Sequence, residues 1–132
     1  MKNEEIKLKE IKLYYYEEKT KLFKHYFVNE NGKLHGSYKV YHENGKLWYE
    51  WNFKNGELHG TCKGYHENGK LWYERNFKNG KPHGTCKWYD ENGKVECEEN
   101  YENGKLLLNL NYFQLFKKWI KKLLNKIYDK ET

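Results

Sequence analysis

A 24-residue internal repeat constrains this chain more than any other feature of its sequence. The segment Asn-Gly-Lys-Leu-His-Gly at 31–36 returns twice with one substitution each time, at 55–60 and 79–84. Between these copies, His-Glu-Asn-Gly-Lys-Leu-Trp-Tyr-Glu at 42–50 recurs unchanged at 66–74. Repetition at a fixed period of this length is typical of arrays in which each unit packs on its neighbours. The sequence therefore predicts a single elongated repeat domain.

Two further copies are less regular. The segment 90–98 is a diverged third copy, and a degraded first copy occupies about 16–32. That first copy aligns only if one extra residue lies near Asn29. The matched residues are then Leu22, Phe23 and Val28 with Leu47, Trp48 and Phe53. We therefore predict a β-repeat domain over residues 1–110, followed by a separate segment at 111–132.

Each repeat contains two Asn-Gly dipeptides, the strongest local signal for a two-residue hairpin turn with positive φ at both central residues. The fold class predicted is mostly β, an elongated antiparallel meander of roughly eight strands. Two-residue turns also fix which residues face each other. The turn at Asn44-Gly45 and its copies predict three cross-strand ion pairs, which are Lys39 with Glu50, Lys63 with Glu74 and Lys87 with Glu98.

The second turn in each repeat gives a further set of predicted neighbours. It places Asn52 opposite His59 and Asn76 opposite His83. It also sets large residues against small ones, with Trp51 opposite Gly60 and Tyr49 opposite Cys62.

This register separates the residues onto two faces, because alternate side chains of a strand point in opposite directions. One face is apolar and holds Leu34, Tyr38, Val40, Leu47, Tyr49, Trp51, Phe53, Leu58, Cys62, Leu71, Tyr73, Phe77, Pro82, Cys86, Trp88, Val95, Cys97 and Tyr101. The other face is polar but carries a line of aromatic residues beside lysines. We predict partner binding on that line by Tyr41, Trp48, Tyr65, Trp72 and Tyr89 with Lys39, Lys63 and Lys87. The alternative is purely structural, in which Tyr41 and Trp48 pair across strands.

The pattern Tyr-His-Glu-Asn-Gly-Lys at 41–46, followed by Phe-x-Asn-Gly-x-x-x-Gly at 53–60, resembles the MORN repeat in its bacterial variant form. The resemblance covers residues 16–104. It implies binding rather than catalysis, since bacterial members are described as antitoxin-like and eukaryotic relatives act as protein- and membrane-binding scaffolds. The function it predicts is a non-catalytic module that neutralises a partner protein, such as a toxin or a nucleic-acid-processing effector. RNA or single-stranded DNA binding through the aromatic-basic face is an alternative.

The residues themselves give no sign of an enzyme or of a cofactor. The column of His35, His59 and His83 is spaced two strands apart, about 9 to 10 Å, which is too far for three imidazoles to share one metal ion. We interpret His59 and His83 instead as cross-strand partners of Asn52 and Asn76.

The three cysteines Cys62, Cys86 and Cys97 have no CxxC spacing and are predicted to be free thiols. Together with the absence of an apolar signal-like run near the N-terminus, they favour a cytoplasmic location.

The segment 111–132 carries six lysines against two acidic residues, so it supplies much of the chain's net charge of +6. Its apolar residues recur at helical spacing, which predicts a basic amphipathic helix. The residues predicted to make contacts are Phe113, Phe116, Trp119, Ile120, Leu123, Leu124 and Ile127. We predict that the helix caps the sheet. The alternatives are that it anchors the protein as a membrane scaffold or that it mediates self-association, for which the strand edges are a second route to a homodimer.

Overall fold

A computed structural model describes residues 5–16, 20–107 and 110–128, except for the side chains at 110–115 and 128. They form one antiparallel sheet of eleven strands followed by a helix, which confirms the predicted mostly β meander. The elements are β1 (Lys9–Tyr14), β2 (Leu22–Val28), β3 (Leu34–Tyr41), β4 (Leu47–Lys54), β5 (Glu57–Leu58), β6 (Gly60–Tyr65), β7 (Leu71–Lys78), β8 (Lys81–Pro82), β9 (Gly84–Tyr89), β10 (Val95–Glu102), β11 (Lys105–Leu107) and α1 (Leu110–Tyr128).

Neighbouring strands follow chain order, so the sheet grows by one hairpin at a time. The short strands β5 and β8 pair with β4 and β7, just before the chain continues as β6 and β9. Strand β1 pairs with β2 and lies before the first sequence repeat, and it was not predicted from the sequence. The repeats therefore build an open sheet with an additional strand at its N-terminal edge.

The Asn-Gly turns that connect β4 with β5, β7 with β8 and β10 with β11 have the predicted two-residue geometry. Positive φ occurs at both central residues in Asn55-Gly56, Asn79-Gly80 and Asn103-Gly104. Each turn is also attached to the preceding repeat, because its glycine N–H donates to a carbonyl of Leu34, Leu58 or Pro82. These turns thus join successive repeats as well as successive strands.

The prediction of a two-residue turn is wrong at Asn44-Gly45. Only Gly45 has positive φ, and the N–H of His42 donates to the carbonyl of Lys46 across a three-residue loop. The side chain of Asn44 accepts the Lys46 N–H at 2.9 Å, which stabilises this longer loop. A loop of this type ends with a left-handed residue and is common in hairpins.

The longer loop is compensated by a β-bulge at Trp48. Tyr41 lies opposite Leu47, whereas Val40 lies opposite Tyr49, so Trp48 has no partner residue in the register. The predicted pairing of Tyr41 with Trp48 is therefore wrong. Tyr41 instead lies opposite Leu47, a residue that was assigned to the other face. Beyond the bulge the register is the predicted one. Matching bulges occur at Phe23, Trp72 and Glu96.

The predicted register between β4 and β6 is also wrong, by two residues. Tyr49 faces Gly64 rather than Cys62, and the predicted contact of Trp51 with Gly60 is lost. The cause is a local excursion at His59 and Gly60, where Gly60 has a φ of 83°. Because the shift is two residues, it moves no side chain of β4 or β6 to the other face.

This shift brings two glutamates opposite lysines of the next hairpin. Glu50 faces Lys63 and Glu74 faces Lys87, in addition to the predicted pairs within each hairpin. The three predicted ion pairs are confirmed, each with a nitrogen–oxygen distance of 3.5 Å. The polar face therefore carries a charge row in which lysine and glutamate alternate across six strands, from Lys39 to Glu98.

A hydrogen-bonded row of asparagine and threonine runs beside the charge row. Thr61 Oγ1 donates to Asn76 Oδ1 at 2.9 Å, and Asn76 Nδ2 donates to the carbonyl of Thr85, also at 2.9 Å. Asn52 Nδ2 donates to the carbonyl of Thr61 at 2.7 Å, across the excursion at His59 and Gly60. Asparagine side chains thus replace strand hydrogen bonds where the main chain leaves the regular pattern.

The apolar face is stabilised by aromatic rings lying over small residues. Val40, Cys62 and Cys86 occupy successive hairpins and are the buried core of the described chain. Tyr38 stacks on Trp51 with a ring distance of 5.9 Å, and Trp51 Nε1 donates to the hydroxyl of Tyr73 at 2.9 Å. A single sheet can bury a core in this way because long side chains cross from one strand to the next.

The degraded first copy is a structural repeat as well. Its bulge at Phe23 matches the bulge at Trp48, the residue with which Phe23 aligns in sequence. The extra residue near Asn29 is accommodated in a three-residue loop, in which the Asn29 N–H donates to the carbonyl of Lys33. The Asn31-Gly32 dipeptide belongs to this loop, so it does not form the two-residue turn that was predicted.

Candidate binding site

An open cleft of about 630 Å³ lies between two successive three-residue loops, which connect β3 to β4 and β6 to β7 at one end of these strands. It forms because the loops at 42–46 and 66–70 project side by side and because each is followed by a bulged tryptophan. Its lining residues are His42, Trp48, Tyr65, His66, Glu67, Asn68, Trp72 and Glu91. The cleft combines ring faces, carboxylates and an amide.

The two tryptophans are held in place yet remain available for contact. Trp48 stacks on His42 and on Tyr49, with ring distances of 4.7 Å in both cases. Trp72 packs edge-on against Tyr73 at 5.3 Å. About two fifths of each tryptophan is nevertheless exposed, 37% for Trp48 and 39% for Trp72. Ordered aromatic side chains that keep an open face lose little entropy on binding, which suits them as anchors for a partner.

Hydrogen bonds between repeats fix the polar wall of the cleft. His66 Nε2 donates to the carbonyl of Tyr89 at 2.8 Å, and Asn68 Nδ2 donates to the carbonyl of Glu91 at 2.9 Å. The corresponding nitrogen of the previous repeat, His42 Nε2, is buried with no hydrogen-bond partner among the described residues. Burial raises the pKa of the Tyr65 phenol, and the charge of Glu50 adds to this effect, so Tyr65 remains a neutral donor at physiological pH.

The structure brings together part of the predicted partner-binding set. Trp48, Tyr65 and Trp72 line the cleft, whereas Tyr41 and Tyr89 lie outside its lining and accept hydrogen bonds through their carbonyls. The predicted lysines belong to the charge row. Lys63 lines a separate depression of about 180 Å³ with Glu50, Asn52 and Thr61.

Five residues that line the cleft were not predicted from the sequence, which are His42, His66, Glu67, Asn68 and Glu91. The recurring His-Glu-Asn-Gly segment carried the relevant signal. It was interpreted only as a turn.

The histidine column has a role at the turns. Nδ1 of His35, His59 and His83 accepts the backbone N–H of Asn55, Asn79 and Asn103 respectively, at 3.2, 3.4 and 3.3 Å. Each ring therefore holds the two-residue turn of the following repeat. The predicted pairing with asparagine survives only in the main chain, where the His59 N–H donates to the carbonyl of Asn52. No cluster of three metal-ligating side chains occurs within the described ranges.

The three cysteines are free thiols, as predicted, and they differ in access. Cys86 is fully buried and Cys62 is 2% exposed, while Cys97 is partly exposed. Burial raises the pKa of the Cys62 thiol. Because the thiolate is the reactive form, this burial and this shift protect Cys62 in the folded protein.

We expect iodoacetamide to modify native protein at Cys97 first and to reach Cys62 and Cys86 only after unfolding. Mass spectrometry of peptides from timed reactions would measure the three rates. Modification in denaturant, where all three thiols are accessible, is the control. Equal rates for Cys62 and Cys97 in the native protein would contradict the buried position of Cys62.

The fold and the cleft define a class of protein, an open single-sheet array of β-hairpin repeats with a cleft of ring faces between loops at one end of the strands. The model of the MORN repeat variant family matches residues 34–55, 58–79 and 82–103. The chain therefore belongs to the MORN repeat variant family, whose repeats are non-enzymatic modules that generally bind proteins or membranes. The match covers the second, third and fourth structural repeats but not the degraded first copy. No curated protein matches the chain significantly.

Proposed function

We propose that this protein binds a partner protein through the cleft between its loops and thereby neutralises the partner's activity. The observation that carries this proposal is the pair of ordered, half-exposed tryptophans, Trp48 and Trp72, that lie one repeat apart in a single cleft. Exposed aromatic patches of this kind mark interaction surfaces, and tryptophan is among the residues that contribute most to binding energy.

The chemistry of the cleft favours a basic protein surface as the partner. Glu67 and Glu91 line the cleft beside the two indole rings. Arginine and lysine side chains interact with both groups, through ion pairs with carboxylates and through cation–π contacts with tryptophan. Toxins and nucleic-acid-processing effectors carry basic surfaces where they contact nucleic acid. Occupation of such a surface would block its use, which is the mode of neutralisation we propose.

Direct binding of RNA or single-stranded DNA is the less favoured function. The three lysines predicted for it, Lys39, Lys63 and Lys87, each pair with a glutamate at 3.5 Å. Lysines that bind phosphates displace the counterions condensed on the nucleic acid, and here each lysine already faces a carboxylate instead. A protein partner needs no such uncompensated positive surface.

We expect Trp48→Ala and Trp72→Ala each to weaken binding of the partner about tenfold, because each removes an anchoring ring. The partner would be isolated by affinity capture from the native host and then purified for titration calorimetry. Tyr16→Ala is the matched control, since Tyr16 is 97% exposed and lies outside the cleft.

The proposed neutralisation is tested separately with the purified partner. Stoichiometric addition of the wild-type chain should abolish the partner's activity, and the Trp48→Ala/Trp72→Ala variant should require a higher concentration. Capture of the same proteins by this variant and by the wild type would overturn the proposed site. Binding that leaves the partner's activity intact would overturn neutralisation.

A further inference from the structure

Helix α1 separates apolar and basic residues around its axis. At about 100° per residue, Phe116, Ile120, Leu123, Leu124 and Ile127 fall on one side within an arc of about 100°. The segment Leu110–Tyr128 contains five lysines and no acidic residue. Four of those lysines lie on the opposite half. The helix is thus amphipathic with a charge of a single sign.

The apolar side of α1 is exposed in the folded chain. Exposure is 55% for Phe116, 45% for Leu123, 48% for Leu124 and 51% for Ile127. Trp119 is 59% exposed, and its ring stacks on Phe116 at 6.2 Å. The described residues therefore do not show the predicted packing of this helix as a cap over the sheet. The side chain of Phe113, which was assigned to the same contact surface, lies outside the described residues.

The charge of the helix decides between the surfaces that could cover its apolar side. A second copy of α1 would bring five more lysines close to the first five, and like charges at this range repel. The sheet does not cover the apolar side of α1, which is exposed, and the glutamates of its charge row already face lysines instead of the lysines of the helix. An anionic bilayer surface, in contrast, offers acyl chains to the apolar side and negative headgroups to the lysines.

The positions of individual side chains fit the plane of a membrane surface. Trp119 lies at the boundary between the two halves, where an indole ring would sit at the level of the headgroups. Lys122 and Lys126 lie beside it, and the three side chains border a shallow depression together with Leu123. Lysine stems can lie along an apolar surface while their ammonium groups reach the headgroups. Within the described residues, no helix has the length and apolar character needed to span a bilayer.

We propose that α1 binds an anionic membrane surface, lying in the plane of the headgroups and holding the repeat sheet at the membrane. This binding uses residues outside the matched repeats and is independent of the cleft. A partner bound in the cleft would thus be held at the membrane as well.

Co-sedimentation of the full chain with lipid vesicles tests the proposal. The chain should pellet with vesicles of phosphatidylcholine and phosphatidylserine, and about tenfold less with phosphatidylcholine alone, because several lysines contribute to attraction by anionic lipid. Trp119→Ser/Leu123→Ser should reduce partition into the anionic vesicles at least about tenfold, since it removes exposed apolar groups without a change in charge. Lys121→Glu/Lys122→Glu should abolish the preference for phosphatidylserine.

Matched controls separate the helix from the rest of the chain. Lys54→Glu/Lys78→Glu makes the same change of charge in exposed positions on the sheet and, at the same ionic strength, should weaken vesicle binding much less than Lys121→Glu/Lys122→Glu does. Trp48→Ala/Trp72→Ala should also retain vesicle binding, so failure of the cleft and failure of the helix are distinguishable. Thermal unfolding of each variant reports whether the sheet remains folded.

Three results would overturn the proposal. One is no sedimentation with anionic vesicles at low salt. Another is sedimentation that Trp119→Ser/Leu123→Ser leaves unchanged. The last is a wild-type chain that is a stable dimer in analytical ultracentrifugation while Trp119→Ser/Leu123→Ser is a monomer, because the apolar side of α1 would then be covered by a second copy of the chain.

Discussion

A Gly64→Val variant is expected to lose about 3 kcal/mol of unfolding free energy, because it overpacks the apolar face at its most crowded point. A Cβ atom at position 64 would lie 2.3 Å from Cε1 of Tyr73. The Tyr73 ring has little freedom to move, since its hydroxyl accepts a hydrogen bond from Trp51 Nε1 at 2.9 Å. The φ angle of Gly64 is not among the positive values, so sterics rather than backbone strain would cause the loss. Urea unfolding, monitored by fluorescence, measures this loss of unfolding free energy.

The control for this prediction comes from the protein's own repeats. Tyr73 lies opposite Gly64, whereas in the next hairpin Cys97 lies opposite Trp88. A large residue on one strand is thus matched by a small one on the other. In a Tyr73→Cys background, Gly64→Val should therefore cost much less than in the wild type, and a double-mutant cycle gives the difference. An equal cost in both backgrounds would show that the ring of Tyr73 is not the obstacle.

Asn76→Ala is the second substitution with a large expected effect, a loss of about 2 to 3 kcal/mol. Asn76 accepts a hydrogen bond from the hydroxyl of Thr61 and donates one to the carbonyl of Thr85. Both bonds are partly buried and bridge three strands where the main chain leaves the regular ladder. The alanine variant leaves the carbonyl of Thr85 without this donor, and unsatisfied buried groups cost more than the bond itself contributes. Thermal and urea unfolding measure the change.

Asn52→Ala is the matched control for Asn76→Ala, because the two residues are one repeat apart. For Asn52 the described residues show one side-chain hydrogen bond, donated to the carbonyl of Thr61. Its loss should cost about half as much, about 1 kcal/mol. If Asn76→Ala loses no more unfolding free energy than Asn52→Ala does, the bridging role assigned to Asn76 is contradicted.

The cleft shows how much of a binding site local sequence can reveal. Trp48, Tyr65 and Trp72 were predicted from alternation along strands, and they do meet in the cleft. Its other wall, with His42 and Glu67, could not be predicted in this way. These residues reach the cleft only because the loops are one residue longer than expected and each loop is tied to the next repeat, as in the bond from Asn68 to the carbonyl of Glu91.

The sequence by itself determined the repeat length, the hairpin meander, the two faces of the sheet and the three ion pairs that begin at Lys39, Lys63 and Lys87. These features depend on local chemistry, since Asn-Gly favours tight turns and alternation assigns a side chain to a face. The tertiary structure alone decided the three-residue loops, the bulges at Trp48 and Trp72 and the shift after Gly60. An Asn-Gly dipeptide can form a two-residue turn or the end of a three-residue loop. The choice between them depends on hydrogen bonds to residues in another repeat, such as the one from the N–H of Gly80 to the carbonyl of Leu58. Such contacts exist only once neighbouring hairpins have packed, so no single repeat specifies them.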